Sequence, residues 1–186
     1  MAERKQARRK RRTGRETLSP PALNTNIRFR HRYRFLSTTG AKTLIWSTDI
    51  TRLPGCMCTV ANTTARGIAQ AGKIRFLEIW TPPAAVGSAA TCTVEWIGYE
   101  DVMTSERSDT TMSTARPAHL QTSPPPGTHA QNWFSGDPAT AVGVLNLTAP
   151  AGSVIDVVCD HILSDTGDVP DSTLTVGATA LGVMFY

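Results

Sequence analysis

Twelve cationic side chains crowd into the first thirty-four residues of this chain, and the chemistry they offer is phosphate neutralisation. Eight of them, Arg4, Lys5, Arg8, Arg9, Lys10, Arg11, Arg12 and Arg15, lie in MAERKQARRKRRTGR beside one acid, Glu3. Arg28, Arg30, Arg32 and Arg34 then recur at every second residue, the spacing that puts side chains on one face of a β-strand. Like charges this dense repel one another and oppose folding, so they read as a surface for a polyanion. Such groups hold phosphate by charge and counterion release, which positions a nucleic acid without reading its bases. The strand arginines have a second reading, pairing with Asp or Glu on a neighbouring strand or subunit. With Glu16 as the other acid, residues 1–34 are formally +10, whereas residues 35–186 hold seven bases and thirteen acids, or −6. The net +4 conceals a basic tail on an acidic body.

Other residues capable of chemistry form weaker patterns. Asp165, Asp168 and Asp171 cluster in SDTGDVPD, and carboxylates on a Gly/Pro turn suit calcium, which takes oxygen ligands in loose geometry. The regular spacing of an EF-hand loop is absent, and the same turn also reads as a solvated acidic loop. His119 and His129 fall in a Pro-rich stretch without a nucleophile motif, and His161 reads as a sheet-edge or interface residue. Paired carboxylates and a phosphate loop are missing as well, so no enzymatic activity is expected. Cys56, Cys58, Cys92 and Cys159 form no CxxC pair and have no His at zinc spacing; they read as small buried hydrophobes. Trp80 and Trp96 read as core, and Trp133, in NWFSG, as an interface anchor or a stacking platform for bases. KQARRKRR also satisfies a basic nuclear-import pattern.

The elements that position these groups follow from periodicity. Residues 1–26 are polar and basic and end in SPPALNTN, a helix-breaking linker, so they read as a flexible nucleic-acid-binding arm. From Ile27 the period is two: Phe29, His31, Tyr33 and Phe35 oppose the arginines in a half-buried strand. Further strands are expected at Leu44–Trp46, KIRFLEIW (73–80), TCTVEWIGY (91–99), VGVLNLT (142–148), SVIDVVCDHIL (153–163) and LTVGATALGVMFY (174–186). The polar, Pro-rich stretch 100–131 reads as loop, and no segment reads as helix. No run of eighteen apolar residues exists, so no membrane span is expected, and no secretory signal pattern is present. Residues 27–186 are therefore expected to form one all-β domain, an eight-stranded antiparallel jelly-roll sandwich.

A basic arm, a Pro/Asn/Thr linker and one all-β domain of this length resemble the single jelly-roll capsid proteins of small icosahedral viruses. KIRFLEIWTPP followed by TCTVEWIG is similar to the paired strands near the start of their shell domain, and APAGSVIDVV to a late shell strand entered through a Pro-x-Gly turn. The resemblance implies a structural protein of the virion, assembled in the host cytoplasm or nucleus into a shell of identical subunits. Its partner would be the viral genome, RNA or DNA, with no membrane involved. Related shells often bind calcium between subunits, which is the place the three aspartates would take. Because LGVMFY follows the last strand so soon, no protruding domain of the kind some relatives append is expected, and without an Asn-Ala dipeptide near that end no autoproteolysis is expected. A rival reading is a cellular RNA-binding protein with a basic tail, which predicts stacking aromatics on an exposed sheet face and a basic body. A jelly-roll ligand or lectin would leave the arm without work.

Overall fold

The period-two pattern becomes sheet. The computed structural model describes residues 27–99, 104–164, 173–177 and 179–185. In chain order its first strands are β1 (Arg28–Leu36), β2 (Thr43–Trp46), β3 (Cys56–Val60), β4 (Thr64–Gly67), β5 (Ala69–Trp80) and β6 (Ala90–Trp96). They are followed by β7 (Ser105–Thr111), β8 (His119–Thr122), β9 (Phe134–Ser135), β10 (Gly143–Thr148) and β11 (Val154–Leu163). Two short strands, β12 (Thr173–Thr175) and β13 (Met184–Phe185), come last.

Eight of these strands build two packed antiparallel sheets, ordered β1-β11-β5-β8 and β2-β10-β6-β7. The pairing is nested: β1 bonds β11, β2 bonds β10, β5 bonds β8 and β6 bonds β7. The chain thus behaves as one long hairpin with its tip at β6 and β7, rolled until β11 meets β5 and β10 meets β6. That is the jelly-roll arrangement, and it leaves β1, β2, β7 and β8 at the sheet edges. The two inner faces close over Ile74, Leu77, Ile79, Cys92, Val94, Trp96, Val144, Leu145, Ile155, Val157 and Cys159. Trp96 keeps its indole N–H satisfied there by donating to Thr122 Oγ1 at 3.1 Å.

The structure corrects the sequence reading in several places. The stretch 100–131 is not all loop, because it supplies β7 and β8. Both are edge strands, and SERSDTT in β7 has no apolar residue to mark a period. Trp80 is half-buried on the outer face rather than core, since a β-bulge in β5 shifts the alternation. LTVGATALGVMFY is no strand of the sandwich; β12 and β13 flank β4 and β3 in a small third sheet. A helix, α1 (Ser47–Arg52), also forms. The Asp49 carboxylate accepts from the Trp46 N–H at 2.9 Å at its start, and Pro54 lies just beyond its end. It packs over β5 at Gly72, where a Cβ would lie 3.3 Å from Thr51 and 3.4 Å from Phe134.

Candidate nucleic-acid interface

The candidate site is the outer face of the β1-β11-β5-β8 sheet. β1 is an edge strand, and its arginines point away from the core, as the alternation requires. β11 lies between β1 and β5 and is buried along most of its length, so its outward residues sit beneath the side chains of both neighbours. Those outward residues include Asp156 and Asp160, placed by register opposite Arg34 and Arg30. On the other side they oppose Glu78 and Lys73. The bulge opposite Val158 and Cys159 inserts one extra residue into β5, and Arg75 joins the same face.

The arginines are therefore paired within the chain. Arg34 grips Asp156 through two nitrogens, Nε to Oδ1 at 2.7 Å and Nη2 to Oδ2 at 2.9 Å, and Arg32 adds Nη1 at 3.3 Å. Arg32 also lies 3.8 Å from Glu78 and covers the Phe76 ring at 5.4 Å. Arg30 Nε donates to Asp160 Oδ1 at 2.6 Å, and Arg75 Nε donates to Oδ2 at 2.5 Å. The hydrogen bonds from Arg34 and from Arg30 hold the Asp156 and Asp160 carboxyls below the usual range, against the opposing cost of burial. Mutual repulsion along β1 therefore does not by itself demand an outside anion. The charge count still favours one: among the described residues Arg28, Arg30, Arg32, Arg34, Lys73 and Arg75 share this face with Asp156, Asp160 and Glu78, a formal +3 patch on an acidic body.

Arg28 differs from its three neighbours. Among the described residues it pairs with no carboxylate, and its guanidinium carbon lies 5.8 Å from the Trp133 ring centroid. Trp133 precedes β9, where Phe134 turns inward against Gly72 and is buried, while the indole itself stays 38% exposed. At the other end of the face His119 lies 2.9 Å from Glu78 Oε1 and stacks on Trp80 at 5.2 Å. His129 packs on Tyr99 at 4.4 Å, in a 3-10 turn away from this sheet face. Arg4, Lys5, Arg8, Arg9, Lys10, Arg11, Arg12 and Arg15 lie outside the described residues, as do Asp165, Asp168 and Asp171. Sequence reasoning missed Lys73, Arg75, Asp156, Asp160 and Glu78 as members of the face. The available signal was the pair of aspartates four apart in SVIDVVCDHIL, an acidic complement to the alternating arginines.

His161 is not the edge residue that the sequence suggested. It points inward from the central strand, is fully buried, and neither ring nitrogen has a hydrogen-bond partner. Phe29 stacks on it at 5.3 Å and Tyr33 meets it edge-on at 5.7 Å. Burial pushes its pKa down from 6.5 to about 4, because the imidazolium would lose its hydration. The unfolded chain takes up this proton below pH 6.5 and the folded one does not, so stability falls as pH drops from 6.5 to about 4. The full loss is roughly 3 kcal/mol. Asp156 and Asp160, held below the ordinary carboxylate range, stay ionised through that window. Thermal melts at stepped pH should show this slope in the natural protein and a flatter one in His161→Phe. Parallel curves for the two proteins would refute the assignment.

No protein-family profile matches the sequence, and no curated protein does. Among solved structures the chain is similar to the virus-like particle of extra small virus from the giant freshwater prawn Macrobrachium rosenbergii. The identity is 14% and the TM-score 0.48, over 81% of this chain and 87% of that one. It is also similar to Desmodium yellow mottle tymovirus, at 11% identity and TM-score 0.39, over 84% of this chain and 99% of that one.

Proposed function

We propose that this chain is a coat subunit that tiles a closed icosahedral shell and condenses a nucleic-acid genome through its basic arm. The observation that carries the reading is the coincidence of the nested eight-strand order with a +10 segment fused to a −6 body. The sheet face of Arg28–Arg34 is the part of the body that continues the arm's positive charge, and it would lie toward the genome. Lateral contacts come from elsewhere. β1 and β2, one edge strand of each sheet, expose Phe35, Leu36, Leu44 and Trp46 beside a cleft that reaches core residues Leu77, Ile155 and Val157. An apolar rim of this kind suits repeated contacts between acidic bodies, because burying it needs no charge compensation. Weak contacts then sum over many copies once nucleic acid gathers the arms. The work is assembly rather than catalysis, and its place is the virion.

The test is sedimentation and negative-stain microscopy of the full chain purified with a single-stranded nucleic acid. Uniform round particles containing both components are expected. A small species that binds nucleic acid without closing into particles would favour the RNA-binding alternative instead.

A further inference from the structure

A shallow cleft of about 340 Å³ opens on the charged sheet face, between the start of β1 and Trp133. Its lining is Arg28, Phe29, Arg30, Arg75, Trp133 and Asp160. Asp160 does not make it acidic, since both carboxylate oxygens are engaged. Oδ1 accepts from Arg30 Nε at 2.6 Å, and Oδ2 accepts from Arg75 Nε at 2.5 Å and Arg30 Nη2 at 3.3 Å. The aspartate instead fixes two guanidinium groups in place, and each keeps further N–H donors for another anion. Arg28 brings a third cation, with no carboxylate partner among the described residues. Beside these three stands the half-exposed indole of Trp133, held by the inward anchor of Phe134.

An exposed indole among guanidinium groups is the chemistry that holds single strands. A base lies on the aromatic face while its phosphate meets the cations. Ordinary small-ligand clefts begin at about 300 Å³, so this one holds no more than a small unit of a larger chain. A duplex cannot use the indole, because its base faces are already covered by stacked neighbours. We infer that this cleft is a single-nucleotide site for single-stranded nucleic acid, with the base stacked on Trp133 under Arg28 and a phosphate on Arg30 and Arg75. The inference rests on the packaging role proposed above and adds to it a preference for unpaired strands, which charge alone does not give.

The experiment is an anisotropy titration of the full chain at fixed salt with a labelled single-stranded 12-mer and with a duplex of equal length. Trp133→Ala should weaken single-strand binding by about 5- to 150-fold, the range for one lost base–aromatic stack. Duplex binding, which uses only charge, should stay within about twofold and so doubles as a check of folding. Trp133→Phe should recover most of the loss, because a phenyl ring still offers a face. Photocrosslinking the single strand through 5-iodouracil should place an adduct on Trp133. Equal losses for both probes, an unchanged single-strand affinity, or adducts confined to residues 1–26 would overturn the site while leaving the packaging role intact. A natural protein that binds neither probe would overturn both.

Discussion

Deleting residues 2–15 should leave a folded body that no longer packages nucleic acid. The deletion removes eight cations and one acid and spares every residue of the sandwich. Eight single-strand phosphate contacts correspond to an affinity–salt slope of roughly −6. Binding through the arm should then fall by roughly two- to four-thousandfold between 50 and 200 mM salt. The shortened protein keeps only the +3 sheet face, so its slope should drop to roughly −2. Purified particles of the shortened protein should be empty, with the 260/280 nm absorbance ratio of protein alone, against a raised ratio for those of the full chain. Normal nucleic-acid content would remove the arm from packaging and leave KQARRKRR as an import signal.

The sheet-face arginines have two jobs, neutralising Asp156 and Asp160 and meeting phosphate, and one pair of variants separates them. Asp156 is wholly buried, whereas Arg32 and Arg34 keep half or more of their side-chain surface in water. Removing the two arginines strands a buried carboxylate, while removing the aspartate leaves two hydrated cations. Arg32→Ala with Arg34→Ala should therefore lower Tm by roughly 5–10 °C, the scale for an unpaired buried charge in a body of this size. Its Asp156 should titrate nearer the ordinary carboxylate range, so the loss is full at neutral pH and shrinks as pH falls below about 3.8. Asp156→Asn should melt close to the natural protein, and it raises the face from +3 to +4, so nucleic-acid affinity at low salt should rise. An aspartate variant that melts lower than the double arginine variant, with no gain in affinity, would make these arginines structural only.

Why some of this was readable from sequence and some was not comes down to burial. The arm and the Arg28–Arg34 stripe stand out because charge is conspicuous and β1 alternates without interruption. TCTVEWIGY also announces itself, since Cys92, Val94 and Trp96 are fully buried and the intervening residues are polar. Edge strands escape the same logic: β7 offers only polar side chains to either face, so no period marks it. The bulge in β5 is equally silent, and it decides that Glu78 joins the charged face and Trp80 leaves the core. His161 was misplaced because nothing in DHIL says that β11 runs between two neighbours; that depends on β1 and β5, more than eighty residues away in sequence. The pairing of Arg30 with Asp160 spans the chain in the same way. Contacts between distant strands define the site, and a local pattern supplies only one half of each.

The most direct measurement is a cryo-electron microscopy reconstruction of the full chain assembled with single-stranded nucleic acid. The account predicts a closed icosahedral shell of rolled β-sandwiches. Arg28, Arg30, Arg32 and Arg34 should face the interior, with nucleic-acid density against them and against Trp133. A closed shell with that face turned to the outer solvent, or nucleic-acid complexes with no closed shell, would contradict it.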